Sequence, residues 1–339
     1  MCGIFGVVVN PEARVSRATL EHLTSKLFLL SESRGKEAAG LALLTDDAID
    51  VVKHAEPASR FIRSADYRGA FTRAYANGHA TRPMARALVG HSRLVTNGAQ
   101  VVHANNQPVV ANGMVGVHNG IIVNVDRLWR DSPHLTRTSD VDTEVLMALL
   151  GHHFSQHRDL SNAAREAFAV VEGTASVAVL SADANDLLMA TNNGSLYFAR
   201  PSRNEVFLFA SERHILSQLA RRREVASWLG NIDIHQLEAN QGLMVNVNSL
   251  VWRAFSLTHN AEAPNPSSVV MSQGRRVVDA TTRQGAEKVA NPIPVQDSSK
   301  HMPQDIVAHM GLVHEAIAKV RRCTKCLLVE TMPFICFDE

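Results

Sequence analysis

The chain begins MCGIFGVVVN (residues 1–10), and this stretch decides how the rest is read. Residues 3–9 form an apolar, largely β-branched run, and NPE closes it as a turn, so the spacing predicts a buried strand. Such a strand holds the residue before it rigidly, and that residue is Cys2. Removal of the initiator Met would place the thiol beside a free α-amino group. A free cysteine near pKa 8.5 is mostly protonated at neutral pH and needs a base to attack a carbonyl. An α-amino group, with a reference pKa of about 7.7–8.0, supplies that base from within the same residue. Burial at a strand start is the competing explanation for a cysteine here, so its surroundings in the sequence decide between the two.

Composition narrows the function classes. The 339 residues are 45% hydrophobic, enough for a sizeable core. Lys plus Arg (34) nearly balance Asp plus Glu (33), with no long block of either sign, which gives no footprint for nucleic acid or a membrane surface. The four cysteines are Cys2, Cys323, Cys326 and Cys336, and the 320-odd residues between the first two hold none. That is not a disulfide framework and fits a reducing compartment. No signal-peptide core or spanning segment is recognised, and the expected location is the cytoplasm.

Short strands are expected at LALL, IDVVKH, RALVGH, MVGVH, TASVAVL, DLLMAT, SLYFA, EVFLFA and GLMVNV. Helical spacing covers 16–33, 142–153, 162–170 and 212–219. Many strands with few interspersed helices predict packed sheets with helices outside them. Composition shifts after Leu257: residues 258–303 read as a linker, 304–322 as an amphipathic helix and 323–339 as a tail carrying CxxC.

Four further motifs accompany Cys2. GHSRLVTNG (90–98) offers in Arg93 a planar fork suited to a carboxylate. VHNGIIVN (117–124) sets an Asn-Gly pair directly after an expected strand: Asn119 brings an amide donor and Gly120 an approachable backbone N–H, the equipment of an oxyanion hole. SDVDTEVL (139–146) places Asp142 at a helix start, where it can accept from a substrate ammonium. SRGKEAAG (33–40) leads into the second strand.

Together and in this order, the motifs resemble the class II glutamine amidotransferase domain, whose nucleophile is an N-terminal cysteine; the likeness covers residues 2–255 of the domain assigned to 2–257. The resemblance implies an α+β fold, the four-layer αββα sandwich of N-terminal-nucleophile hydrolases, with two antiparallel sheets between helical layers. It implies that Cys2 attacks the side-chain amide of L-glutamine, that Asn119 and Gly120 hold the oxyanion, and that Arg93, Thr96 and Asp142 bind the substrate. No cofactor is implied, and the partner is an ammonia-accepting synthase domain or subunit. HNGII and DVDTEV are similar to the glutaminase of glucosamine-6-phosphate synthase, whereas RGKEAAG and NNQPV (105–109) are more similar to amidophosphoribosyltransferase. Leu94 stands where those families have an aromatic residue and Asn97 where the sugar enzyme has His, while Thr96 and Gly98 match.

The tail RRCTKCLLVETMPFICFDE (321–339) resembles the opening of sugar amidotransferases related to ATP-pyrophosphatases, which implies an ATP-dependent half absent from this chain and sugar amination as the use of the ammonia. Cys323 and Cys326 have the spacing of half a zinc site. The alternatives are the glutaminase half of an enzyme like either of the two synthases, or a non-catalytic scaffold subunit that keeps the fold.

Overall fold

The computed structural model describes residues 2–13, 15–76, 85–94, 98–203, 205–258 and 274–281, all within one unit spanning Met1–Ala286. Thr96, the expected helix over 304–322 and the cysteines Cys323 and Cys326 lie outside the described residues.

The opening run forms β1 (Gly3–Val9), every residue of it buried, and β1 lies in the interior of an eight-stranded sheet. The spatial order across that sheet is β11 (Ile232–Leu237), β9 (Leu196–Pro201), β10 (Val206–Ala210), β1, β4 (Ala87–Arg93), β2 (Ala38–Leu44), β3 (Ala48–His54) and β14 (Arg276–Asp279). The second sheet runs β13 (Trp252–Ser256), β12 (Gln241–Asn246), β8 (Asp186–Thr191), β7 (Gly173–Ser181), β6 (Met114–Ile122) and β5 (Val109–Ala111). Pairing is antiparallel except between β3 and β14, so the expectation of two wholly antiparallel sheets needs correction at that edge. The strand β14 also falls within the stretch read as a linker.

The side-chain period of two divides each central strand between two environments. Phe5, Val7 and Val9 of β1 pack with Leu20, Leu23, Leu27 and Phe28 of α1 (Arg17–Ser31), and further residues of α2 (Ala58–Phe61), α3 (Ala65–Ala76), α7 (Arg213–Ala220) and α8 (Arg223–Leu229) join the same cluster. Ile4 and Val8, on the other face, meet Val115 and Val117 of β6 and Met189 of β8 between the sheets. The outer face of the second sheet is covered by α4 (Val125–Asp131), α5 (Asp142–His157) and α6 (Leu160–Val170), through Val145, Met147, Leu150, Phe154 and Ala164. The result is helix, sheet, sheet, helix: the expected αββα order.

Helix boundaries follow local chemistry. Ser16 Oγ accepts from the Thr19 N–H at 3.1 Å and caps α1. Asp159 does the same for α6 through the N–H groups of Ser161 and Asn162. Behind β1, Phe28 makes edge-to-face contacts with Phe5, Phe61 and Tyr67 at 4.8, 5.2 and 5.9 Å between ring centroids. Replacing Phe28 by Ala is expected to reduce stability by about 3–5 kcal/mol in urea unfolding, because this aromatic cluster closes poorly around a cavity.

Candidate active site

Cys2, Arg93 and Asn119 reach the same space by strand alternation. Cys2 lies two residues before Ile4, Arg93 lies four beyond Val89, and Asn119 lies two beyond Val117; all three apolar residues belong to the layer between the sheets. The β1–β4 register pairs Gly3 with Ser92, which sets Cys2 beside the Arg93–Leu94 turn-off of β4. There the Cys2 Sγ donates to the Leu94 carbonyl at 3.5 Å. The thiol is 7% exposed, and burial pushes its pKa up, against the lowering pull of that hydrogen bond and of Arg93.

Glycines make the close approaches possible. A Cβ on Gly3 would meet the Ser31 carbonyl oxygen at 2.8 Å, at the end of α1. A Cβ on Gly35 would lie 2.1 Å from the Arg93 carbonyl carbon, so the 33–40 loop crosses directly over the strand end that carries Arg93. The Glu37 N–H fixes that crossing by donating to the Arg93 carbonyl at 3.2 Å.

Arg93 is oriented by a buried polar network. Its Nη1 donates to Asn106 Oδ1 and its Nη2 to the Gly98 carbonyl, each at 2.7 Å. Asn106 Nδ2 donates to the Gln100 carbonyl at 2.7 Å, and Lys53 Nζ donates to the Asn106 carbonyl at 3.0 Å. Gln107 ties the same loop to the second sheet: its Oε1 accepts from the His118 N–H at 2.6 Å, and its Nε2 donates to the His118 carbonyl and to Thr143 Oγ1, each at 3.2 Å. Desolvation would make each of these groups costly alone, and mutual satisfaction is what permits their burial.

The Asn-Gly pair was expected just past a strand end. It lies instead inside β6, with Asn119 opposite Ser176 and Gly120 opposite Ala175 of β7. Gly120 has φ of +155°, and a Cβ there would come within 2.0 Å of the Thr174 carbonyl oxygen. Asn119 is 1% exposed, and its side-chain Oδ1 has no hydrogen-bond partner among the described residues. The open position is an acceptor and can meet a donor on a ligand, while an oxyanion would have to be met by the Nδ2 amide.

Asp142 begins α5 and extends to the end of β6, where its Oδ2 accepts from the Ile122 N–H at 2.8 Å and its Oδ1 stands 3.8 Å from His118 Nδ1. Its charge acts on both Cys2 and Arg93. Glu144, two residues further in the same motif, has a different task. Its carboxylate accepts from the backbone N–H and hydroxyl of both Thr138 and Ser139, holding the loop that leads into Asp142. The motif carries two buried acids, and their partners separate them: Asp142 meets the end of β6, and Glu144 the loop before the helix. The structure thus brings Cys2, Arg93, Asn119, Gly120 and Asp142 to one end of the two sheets. Gly35, Asn106, Gln107 and Glu144 are supports that residue chemistry does not single out, although all four lie within the motifs quoted above.

With this geometry in view, the two sheets, their helical covers and a cysteine leading the central strand define the fold of N-terminal-nucleophile hydrolases. Over 76% of the chain it is similar to half (50%) of the B. subtilis glutamine phosphoribosylpyrophosphate amidotransferase structure, with TM-score 0.54 at 19% identity. Residues 91–218 match the family model described as a glutamine amidotransferase domain. The glutamine–fructose-6-phosphate aminotransferase of Pseudomonas syringae pv. tomato is 30% identical over 225 residues, 66% of this chain and 33% of that protein. The corresponding enzyme of Tropheryma whipplei (strain Twist) is 28% identical over 276 residues, 79% of this chain and 40% of that one. Residues 91–218 therefore match a glutamine amidotransferase domain, and the chain is homologous to the aligned part of those aminotransferases. It spans between a third (33%) and two fifths (40%) of these curated relatives' lengths. No helix among the described residues is long and apolar enough to cross a membrane.

Two measurements check this geometry. His91 is fully buried two residues before Arg93, with neither ring nitrogen bonded among the described residues, and burial followed by Arg93 and His118 drives its pKa down to about 3. Between about pH 6.5 and that value the unfolded chain takes up a proton that the folded one refuses. His91 therefore leaves stability complete above about pH 6.5 and lowers it by up to about 1.4 kcal/mol per unit as pH falls below that. Buried His118 is shifted in the same direction. Urea unfolding at pH 7, 6 and 5 should show the slope, and His91→Leu should flatten it. Separately, Gly120→Ala is expected to destabilise by about 1–3 kcal/mol in the same assay, since β6 must move away from Thr174.

Proposed function

We propose that the domain hydrolyses L-glutamine to glutamate and ammonia with Cys2 as the nucleophile, its own α-amino group acting as base once Met1 is removed. The thiol proton passes to the amine as sulfur bonds to the side-chain amide carbon, and the displaced electron pair rests on the amide oxygen. Asn119 and the Gly120 N–H stabilise that oxyanion. Collapse expels the amide nitrogen, which takes the proton back from the amine and leaves as ammonia. Water then attacks the thioester, glutamate departs, and the thiol is restored.

Arg93 binds the α-carboxylate and Asp142 the α-ammonium, and Thr96 joins this clamp by its place in the 90–98 motif. Burial favours the protonated thiol, so reaction depends on a base held close by. The observation carrying the reading is that Cys2, Arg93 and Asn119 share the face between the sheets, with the Asp142 carboxylate acting on the first two. The ammonia goes to a synthase domain or subunit in the cytoplasm, and similarity to fructose-6-phosphate aminotransferases supports a sugar as acceptor.

Glutamate release by the purified chain, with intact mass to establish the N-terminus, tests the proposal. Cys2→Ala is expected to lose more than about 10³-fold in rate, the scale on which removal of a nucleophile acts. No release from a Met-free wild type, with or without a candidate synthase, would instead favour the scaffold reading.

A further inference from the structure

The strand β14 does more than extend a sheet edge. It runs parallel to β3, from Arg276 opposite Ala48 to Asp279 opposite Val51, and its last residue turns toward the loop that holds Arg93. Asp279 Oδ2 stands 2.6 Å from His103 Nε2. His103 opens the single helical turn His103–Asn105 immediately before Asn106, whose side chain accepts from Arg93. Two residues beyond Asp279, Thr281 Oγ1 accepts from the Lys53 N–H at 3.1 Å, and the Lys53 side chain is the donor to the Asn106 carbonyl. The Thr281 N–H closes the turn on Asp279 Oδ1 at 3.1 Å. The 279–281 turn thus grips both supports of Asn106, one on the loop and one on β3.

Lys53 is 5% exposed; burial lowers its pKa, and the negative charges of Asp279 and Glu144 act against that. A buried ammonium aligned by one carbonyl and two distant carboxylates is sensitive to the loss of either carboxylate. The exposed part of the Asp279–His103 pair contributes little by itself, because both side chains touch solvent. Its effect lies in geometry: it fixes where the loop, and through Asn106 the guanidinium, comes to rest.

We propose that Asp279, acting through His103 and Lys53, is a positioning residue for Arg93, so that the strand entering from the C-terminal part of the chain sets the affinity of the domain for glutamine. This rests on Arg93 binding the substrate carboxylate, as in the function proposed above.

Steady-state glutaminase kinetics on the full chain test it, with Asp279→Ala, Asp279→Asn, His103→Ala and the Asp279→Ala/His103→Ala double variant. Asp279→Ala and His103→Ala should each raise KM for glutamine at least about fivefold while kcat stays within about twofold, because the reacting groups are untouched. The double variant should be no worse than Asp279→Ala alone, since that substitution already removes the link through His103. Alkylation of Cys2 by iodoacetamide, which has no α-carboxylate to be clamped, should proceed at the wild-type rate, and more glutamine should be needed to protect the thiol. Asp279→Asn keeps the shape and guards against a folding defect in the Ala variant; its KM should lie between the two.

Unchanged KM in every variant of an active wild type overturns the positioning role and leaves the glutaminase intact. Loss of kcat and of alkylation together with KM overturns it too, as general damage to the site. A wild type that neither hydrolyses glutamine nor is protected by it overturns both readings at once.

Discussion

The antiparallel pairing of β1 with β4 is the constraint on which the rest depends. It places the residue before β1 beside the residues at the end of β4, so a thiol and a guanidinium more than ninety positions apart become neighbours at one end of the sheet. Alternation then does the selecting. One face of β1 is committed to α1 through Phe5 and Val7, and the other carries Ile4 and Cys2 toward the second sheet. A register slip of one residue would exchange these faces and send the thiol into the helical layer.

Around that pairing the polar residues form one connected support. Asn106 meets Arg93 and Lys53, Gln107 grips β6 and α5, and Glu144 pins the loop before Asp142. Each of these groups is largely removed from water, and each is satisfied, Asn106 in part by Lys53 from a separate strand and Glu144 by the loop just before it. Other buried side-chain atoms stay unmatched among the described residues, in Asn119 and His91 on the inter-sheet face and also in Arg73 of α3 and Trp129 of α4 in the helical layers.

Much of this was legible along the chain. β1 and the helix behind it are strongly patterned, and the nine expected strands all correspond to strands in the structure. Elements that escaped the reading carry weaker local signals. The apolar stripe of α3 is Tyr67, Ala70, Phe71 and Ala74, correctly spaced but half alanine. At β11 the exposed residues alternate with only partly buried isoleucines. The four residues of β14 sit in a stretch rich in turn formers, and only the edge of β3 makes a strand of them. In the candidate site, Cys2, Arg93, Asn119 and Asp142 are singled out by residue chemistry and motif order, whereas Gly35 and Gln107 act through backbone approach and cross-sheet hydrogen bonds that leave no local signature.

The sequence by itself determined that packed sheets carry helices outside them and that Cys2 precedes a buried strand, which follow from periodicity, a local property; the αββα order and the candidate charged and amide groups around Cys2 came through the resemblance its motifs carry. Only the tertiary structure decided that the Asn-Gly pair lies inside a strand rather than in a turn, that Glu144 ties down the preceding loop while Asp142 meets the end of β6, and that Asp279 reaches the loop beside Arg93. Those outcomes depend on strand register and on which groups satisfy one another away from water, and neither is a property of any single stretch of chain.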